Sequence, residues 1–292
     1  MSRILFILNF AAALSLTANY AAVAQTTMLF KAGKGLALDD VSPQFIRLDT
    51  VFLRVEYTAH TTTDTAANSV GREKMLLEIG EHYTKFYSAL YEEICYVLEN
   101  YSSRQAIGNA SHGLDPYSWY SYVYEAYYVD FAKGEPVSTG RIGSLDFKYQ
   151  EKLPAIEWSI EDSLKTIGEY TAKKATCRFR GRDYVAWFTT EIPLPFGPWK
   201  FQGLPGLILS VSDTRNYFRF DVANISSKAQ GTIKYPDYNY IKTTRQKYLE
   251  MKAQIEADFS YYFGNYSTSD MSIIPRDGHR PKKLGNDFME LE

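Results

Sequence analysis

Most of the chain alternates between apolar and polar residues with the two-residue period of a β-strand. Residues 51–60 place their apolar side chains on one face and their charged side chains on the other. Residues 75–87 continue in this way with a kink expected at Gly80, and residues 61–71 are predicted to form a polar loop between the two strands. The pattern predicts a chain built mainly from antiparallel strands.

The clearest predicted hairpin lies in the second half of the chain. Glu169–Phe179 forms one strand, Arg180–Asp183 the turn, and Tyr184–Thr190 the return strand. Two prolines within residues 192–195 exclude a central strand there, because proline has no N–H to donate to a ladder. A second hairpin begins with the apolar run at residues 207–211.

Between these hairpins lies the stretch Trp199–Leu209, whose centre is a Pro-Gly pair. Pro205 suits the second position of a β-turn, and Gly206 suits the positive φ that a type II turn needs at its third position. The stretch is interpreted as a tight turn before a buried strand. Alternatively, Gly203 and Gly206 keep the backbone free of side chains so that a ligand or another segment can approach.

Two segments change to helical period. Residues 89–116 are predicted to hold a helical insertion. Residues 241–262 are predicted to form a helix whose apolar stripe, which includes Tyr248, covers a sheet face. Residues 25–266 are then one mainly β (α+β) domain, followed by an extended tail over residues 267–292. The predicted architecture is a large, curved, half-barrel-like antiparallel sheet with the C-terminal helix packed on it. A closed barrel or a sandwich is the alternative.

The first 24 residues have the pattern of a secretory signal peptide. A positive start is followed by an apolar run and by the A-x-A signal Ala22–Ala24. Export to the periplasm or the extracellular space is therefore expected, without a lipid anchor, since no cysteine lies near the cleavage point. The formal charge of −2 gives no argument for a nucleic-acid partner. The 24 tyrosines and 17 phenylalanines suit broad, half-solvated sheet faces.

The residue types that carry chemistry form no local motif. Cys95 and Cys177 either pair as a disulfide or remain two buried thiols. The four histidines lack metal-ligand spacing, and no dinucleotide, P-loop or nucleophile-elbow motif is present, so no cofactor, metal or catalytic residue is assigned. A Ser-His pair assembled across the fold stays open, because triads need not be local in sequence.

The residues Gly203, Leu204, Pro205, Gly206, Leu207 and Ile208 spell the signature of the GLPGLI family. The chain also resembles this family at Trp158 and along residues 167–170, 174–175, 179–182, 186–189, 191–193 and 196–201. Its ending, residues 286–292, is similar to the family's usual close, with Asp287 where proline is usual. These are exported proteins of Bacteroidetes-type bacteria, also known as the Porph_ging domain. The resemblance implies export and one β-rich domain, and it implies no activity.

The charges near the signature admit two interpretations. Arg180, Arg182, Asp183, Glu191 and Lys200 either orient the loop before Leu207 or form the polar rim of a cleft. In the second case Trp187, Trp199, Phe201 and Arg182 are the predicted ligand-binding residues.

Three hypotheses for the function follow. The favoured one is a non-catalytic periplasmic binding or accessory protein for a peptide, an apolar ligand or an outer-membrane partner. The alternatives are a hydrolase, such as a peptidase, with a spatially assembled site, and a structural envelope component whose signature only shapes the fold.

Overall fold

The computed structural model describes residues 44–64, 69–92, 96, 125–134, 136–142 and 145–257. The predicted signal peptide, most of the predicted insertion at residues 89–116, and the predicted tail lie outside these residues. Within the insertion, residues 89–92 and 96 are helical.

Besides these helical residues, the described residues form fourteen strands and a helix, α1, at Arg245–Ala257. The strands are β1 (Phe45–Thr50), β2 (Leu53–Asp64), β3 (Ser69–Ile79), β4 (Tyr83–Ser88), β5 (Ala126–Asp130), β6 (Val137–Ile142), β7 (Leu145–Gln150), β8 (Ser159–Ile167), β9 (Tyr170–Phe179), β10 (Arg182–Thr189), β11 (Leu207–Asp213), β12 (Phe218–Ser226), β13 (Thr232–Pro236) and β14 (Ile241–Lys242).

Twelve of these strands form a single sheet in the order β14-β7-β6-β5-β4-β3-β2-β12-β11-β10-β9-β8. All neighbours are antiparallel except β14 and β7. In the described part of the chain the sheet is open, with β14 and β8 as its edges, so the predicted open, mainly β fold is confirmed and the barrel alternative is not.

The sheet is strongly curved. Phe86 on β4 and Phe220 on β12 are three strands apart, about 14 Å in a flat sheet. Their ring centroids nevertheless lie only 5.9 Å apart. We call the face that carries these rings the inner face, and the opposite one the outer face.

The main core lies on the inner face. Strand β2 shows why: Leu53, Val55, Tyr57 and Ala59 alternate with residues that are half-buried, so that one side of the pleat meets the core. The phenolic O–H of Tyr57 donates to the carbonyl of Ile208 at 2.7 Å. This bond satisfies the one polar group of a fully buried ring.

A two-stranded ribbon of β1 and β13 packs on the outer face. Tyr128 of β5 meets Tyr235 of β13 edge to face at 5.9 Å. The ribbon thus covers the apolar outer side of β4 and β5, which would be exposed to solvent without it.

Helix α1 packs on the inner face near the β14 edge. Tyr248 is 2% exposed and contacts Phe147 and Tyr149 at centroid distances of 5.9 and 5.4 Å. Gly140 makes room for it, since a Cβ there would lie 2.1 Å from the Tyr248 hydroxyl. The predicted packing of a C-terminal helix on the sheet is therefore confirmed.

The predicted start of this helix is wrong. Residues 241–242 form the edge strand β14, and the helix begins at Arg245 after Thr244, whose hydroxyl accepts the Lys247 N–H. A threonine side chain at this position satisfies a free N–H of the first turn. The predicted helix beyond residue 257 lies outside the described residues.

Two other boundaries differ from the prediction. The predicted loop at residues 61–71 is largely strand, because the β-branched run Thr61–Thr63 extends β2. The predicted strand at residues 75–87 is two strands, since the chain reverses at Gly80, whose N–H donates to the Tyr83 carbonyl.

Candidate functional site

The connection between β10 and β11, which we call the 190–206 loop, crosses the inner face. It holds itself together by backbone bonds: Leu207 N–H donates to Ile192 at 3.0 Å, and Gly203 N–H donates to Pro195 at 3.0 Å. A residue that cannot join a ladder, such as Pro195, still offers its carbonyl. The loop is therefore a compact, self-bonded segment.

Phe201 and Leu204 anchor the loop in the core, with exposures of 2% and 1%. The Phe201 ring meets Tyr184 at 4.7 Å and Trp199 at 5.3 Å, both edge to face. The indole N–H of Trp158 donates to the Gln202 carbonyl at 2.9 Å. The space beside the Pro-Gly pair is thus filled by the loop's own side chains.

The predicted type II turn is wrong. The N–H of Gly206 bonds to the carbonyl of Leu204 at 2.8 Å, which closes a three-residue turn around Pro205. Gly206 does not have a positive φ, whereas Gly203 has a φ of 93°.

The two glycines are therefore required for different reasons. Gly203 supplies a backbone conformation that side chains rarely adopt. Gly206 supplies space, because a Cβ there would lie 2.0 Å from the carbonyl oxygen of Thr189. The approaching group at Gly206 is another segment of this chain, strand β10, which was one of the two alternatives predicted for these glycines.

A buried carboxylate ties the loop to the opposite side of the sheet. Glu151 follows β7 directly, and its Oε2 accepts a bond from Arg180 at 2.6 Å. Lys200 Nζ contacts Oε1, and Arg245 Nε lies 3.7 Å from Oε2. Strand β7 is second in the sheet and β9 is eleventh. Glu151 therefore joins elements near the two edges of the curved sheet.

The hairpin turn places Arg180 for this contact. Phe179 pairs directly with Arg182, and Arg180 and Gly181 between them have φ values of 49° and 80°. Two positive φ values in a two-residue loop define a type I′ turn, which is tighter than the predicted four-residue turn. Arg182 and Asp183 belong to β10 for this reason.

A cavity of about 60 Å³ lies on the inner face between the 190–206 loop and α1. Trp199 and Lys200 line it from the loop, and Tyr248, Leu249 and Lys252 line it from α1. Glu125, which directly precedes β5, also lines it, and the sheet supplies the remaining lining residues, which are Met75, Phe86, Ala126, Tyr127, Ser138, Thr139, Tyr149 and Phe220.

The cavity combines an apolar floor with charges on its walls. Met75, Phe86 and Phe220 are buried, whereas Glu125, Leu249 and Lys252 are half-exposed and mark the side toward solvent. Lys252 Nζ lies 2.5 Å from Glu125 Oε1. An apolar recess with a few placed polar groups is the usual composition of a small-molecule site.

The predicted ligand-binding residues separate into three places. Trp199 lines the cavity, and Phe201 is buried beneath it in the core. Arg182 is also buried, where it pairs with Asp213 at 3.5 Å and lies over Phe218. A buried ion pair of this kind holds the end of the hairpin to the β11–β12 turn, so Arg182 is not at a cleft rim.

Trp187 is not with Trp199, because strand alternation puts it on the outer face, opposite Ala186 and Phe188. Lys165 Nζ lies 4.2 Å from the centroid of its ring. The pKa of Lys165 is lowered, since partial burial disfavours its charged form. A single cleft containing both tryptophans, as predicted, is therefore wrong.

The outer face also brings together a serine, an aspartate and a histidine. Ser210 Oγ donates to Asp221 Oδ1 at 2.8 Å, and His60 Nε2 lies 3.6 Å from Asp221 Oδ2. The carboxylate lies between the other two groups. A general base must instead accept the hydroxyl proton itself, so this arrangement does not have the order of a catalytic triad.

Cys177 carries a free thiol in the structure. Its side chain is in the main core, and burial raises the pKa of the thiol to about 12. Cys95, the other half of the predicted pair, lies outside the described residues.

The described residues hold no group of three or more histidine, cysteine, aspartate and glutamate side chains suited to a metal ion. No helix in this part of the chain has the length and hydrophobicity of a membrane span.

Sequence reasoning missed Glu151, Tyr149, Tyr248 and Lys252 as site residues. Tyr248 was predicted on the buried stripe of the helix, but its partner strand was not predictable. Glu151 stands in the polar run Gln150–Lys152 and gave no signal of burial. The charges predicted to orient the loop do so in two cases, since Arg180 and Lys200 both bind Glu151.

The solved structures that resemble this chain include two crystal forms of PNGF-II. They have TM-scores of 0.46 and 0.45 and sequence identities of 12% and 13% to this chain. Each match covers 70% of this chain and 33% or 32% of the PNGF-II chain. The chain thus spans about a third of the length of that protein. Comparison with curated proteins gives no match.

Comparison with protein families matches residues 180–210 to Porph_ging, which is described as a protein of unknown function. The matched residues are the type I′ turn, β10, the 190–206 loop and the start of β11. They include the loop wall of the cavity. Over residues 180–210 the chain is similar to the Porph_ging family, which confirms the resemblance predicted from its sequence.

Proposed function

We propose that the protein is an exported binding or accessory protein that takes a small apolar ligand or the apolar part of a peptide into the cavity beside Trp199. The observation that supports the proposal most is the position of this cavity. It lies on the inner face of a curved sheet, between a self-bonded loop and a packed helix.

The chemistry of the lining supports an apolar occupant. The floor consists of Met75, Phe86 and Phe220, which have no group that requires a hydrogen bond. Burying each further methylene of a ligand there stabilises a complex by about 0.8 kcal/mol.

The size of the cavity limits what enters it. A water molecule needs roughly 10–15 Å³ measured in this way, so about 60 Å³ holds one end of a ligand rather than the whole. The rest of the bound ligand would extend out of the cavity toward solvent, past the half-exposed Leu249 and Glu125.

The predicted signal peptide supports the location that we propose, the periplasm or the cell envelope. Fractionation of cells that express the full chain tests it. We expect a mature protein that begins near Gln25 in the exported fraction, and a full-length cytosolic protein would contradict the proposal.

Native mass spectrometry of the protein purified from its own compartment tests the binding proposal. We expect an adduct that organic extraction removes. The matched variants are Ser138→Leu, which fills the cavity, and Ala186→Gly, a small change elsewhere on the inner face. An adduct retained by Ser138→Leu, or no adduct on the purified protein, would contradict binding at this cavity.

A further inference from the structure

One polar side chain in the wall of the cavity, Ser138, has a hydroxyl group that the fold does not use. Ser138 is 7% exposed and lines the cavity, yet no group in the part of the chain that the structure describes makes a hydrogen bond with its Oγ. A buried hydroxyl without a hydrogen bond costs stability, and folded proteins contain few such groups. The cavity supplies a reason for this one, since an occupant of the cavity can reach it.

The neighbours of Ser138 show that its side chain points to the inner face. Ser138 pairs with Tyr127 of β5 and with Tyr149 of β7, and both tyrosines line the cavity. Gly140 lies two residues further along β6, so its Cβ position faces the same way as the Ser138 side chain. A Cβ at Gly140 would collide with the Tyr248 hydroxyl of α1. The Ser138 side chain is therefore directed under α1, into the cavity.

Two small residues on this face of β6 create the space under α1. The Tyr248 side chain fills the space beside Gly140. The space beside Ser138 is left as part of the cavity. A glycine or an alanine would be enough to leave this space, so the serine adds a hydroxyl that the packing of the helix does not require.

The charged groups of the cavity wall, in contrast, are already engaged with protein partners. Lys200 contacts Glu151. Glu125 Oε1 accepts from Lys252 Nζ at 2.5 Å and from the Tyr248 hydroxyl at 3.3 Å. A hydrogen bond to the serine hydroxyl is therefore one that an occupant can add without breaking an existing pair.

We propose that Ser138 determines the specificity of the cavity, because its hydroxyl binds an oxygen that the apolar occupant carries in a hydroxyl, carbonyl or carboxylate group. A serine hydroxyl is both a donor and an acceptor, so each of these groups suits it. The apolar body of the occupant then lies along Phe86 and Phe220. This inference rests on the proposed function, because it names the chemical class of the ligand of the same cavity.

Two sources share this chemistry: the head of a fatty chain, and a carbonyl of a short apolar peptide. Octanoate and hexan-1-ol represent the fatty chain, and N-acetyl-Leu-Leu represents the peptide. The compound 1-chlorohexane matches hexan-1-ol in its chain but has no oxygen. Calorimetric titration of the full exported chain measures the affinities of these four probes.

The variant Ser138→Ala removes the hydroxyl and keeps the small size of the side chain. It should weaken the binding of hexan-1-ol about fivefold, since one hydrogen bond contributes on that scale, and leave the binding of 1-chlorohexane within about twofold. Whether octanoate or N-acetyl-Leu-Leu is weakened more identifies the source. Ser212→Ala, on the outer face of β11, is the matched control and should change none of the four affinities.

Unfolding of the ligand-free protein separates a role in binding from a role in the fold. The urea midpoint of Ser138→Ala should be at least as high as that of the wild type, because the variant loses no hydrogen bond of the fold and no longer buries a hydroxyl. A lower midpoint would show that the hydroxyl stabilises the fold and would overturn the inference.

The titrations give two further results that would overturn it. If Ser138→Ala binds hexan-1-ol as tightly as the wild type does, or weakens hexan-1-ol and 1-chlorohexane equally, Ser138 does not bind an oxygen of the ligand, and the proposed function stays in place. If none of the four probes binds to the wild type, the inference is wrong, and the native mass spectrum then decides the proposed function separately.

Discussion

The two faces of the sheet each present a tryptophan beside a lysine, and the two pairs differ in almost every physical respect. On the inner face, Lys200 is 3% exposed and its Nζ lies 5.3 Å from the Trp199 ring centroid. On the outer face, Lys165 is exposed and lies 4.2 Å from the Trp187 ring centroid. The distance is shorter in the outer pair, but the lysine is buried only in the inner pair.

The difference shows that proximity alone does not mark a site. Trp187 and Lys165 meet solvent, where screening weakens the interaction of charges. Trp199 and Lys200 lie on a loop that its own backbone bonds hold in place, and a shared carboxylate fixes the lysine. The inner pair is therefore preorganised and desolvated, which are the conditions under which a charge contributes to binding.

The largest effect is expected from removing the buried carboxylate. Glu151→Gln leaves Lys200, Arg180 and Arg245 without their shared anion, and breaking a buried pair costs about 3–5 kcal/mol. Urea unfolding should show a loss of about 4 kcal/mol in the free energy of unfolding.

The outer-face match is Asp221→Asn, which keeps the oxygen that accepts from Ser210. It should cost less than about 1 kcal/mol, as solvent-accessible pairs do. Equal losses in the two variants would contradict the distinction between the two faces.

The next largest effect concerns the glycine that brings β10 against the loop. Gly206→Ala places a Cβ 2.0 Å from the Thr189 carbonyl oxygen. The backbone must move, and we expect a loss of about 3 kcal/mol on thermal or urea unfolding. Gly231→Ala, where the nearest heavy atom is 3.5 Å away, is the control and should change stability by less than about 1 kcal/mol. A stable Gly206→Ala protein would mean that the loop does not approach β10 so closely.

A smaller effect on the free energy of unfolding is expected from pH. It tests whether water is excluded from the inner face. Burial raises the pKa of Cys177 from 9.0 to about 12. In the unfolded chain the thiol ionises at a lower pH than in the folded protein, so the unfolded state binds fewer protons between pH 9 and about 12. The stability from this thiol is therefore fully present below pH 9 and is lost as the pH rises toward 12.

The measurement is the free energy of unfolding of the wild type and of Cys177→Ala across this range. Buried tyrosines such as Tyr57 titrate in both proteins, since burial raises their pKa as well. The wild type should lose more stability than Cys177→Ala between pH 9 and 12. Parallel curves would show that Cys177 is solvated.

The smallest effect is expected on the outer face. A double-mutant cycle of Lys165→Met and Trp187→Leu should give a coupling energy of about 0.5–1 kcal/mol, the value for an exposed cation–π pair. Thermal unfolding of the four proteins measures it. A coupling above about 2 kcal/mol would place this pair in the same class as the buried charges of the inner face.

The periodic parts of the fold were predictable from the sequence, and long-range partners were not. Alternation in Val51–His60 predicted β2, and the Arg180–Asp183 segment between two alternating runs predicted a hairpin, because both signals are local. Helical period placed Tyr248 on a buried stripe. The contact of Tyr248 with Phe147 depends on the order of the strands in the sheet, which hydrophobic periodicity does not predict.

The candidate site shows the same limit more sharply. Trp199 was predicted, since it stands in a distinctive motif. Its separation from Trp187 follows from the alternation of side chains between the two faces of β10. This alternation was predictable from the sequence of Arg182–Thr189. The burial of Glu151 had no local signal, because a polar run predicts an exposed segment. Its burial results from the curvature of the sheet, which brings Arg180 and Lys200 into contact with it.

The most direct test of the central claim is a ligand titration of the protein labelled with 5-fluorotryptophan, followed by ¹⁹F NMR. Trp→Phe variants assign the resonances of the four tryptophans. With octanoate or N-acetyl-Leu-Leu as ligand, we expect the Trp199 resonance to shift at saturation while the Trp187 resonance stays in place, because Trp199 lines the cavity and Trp187 lies on the outer face. A shift at Trp187 with none at Trp199 would contradict the claim that the inner face holds the binding site.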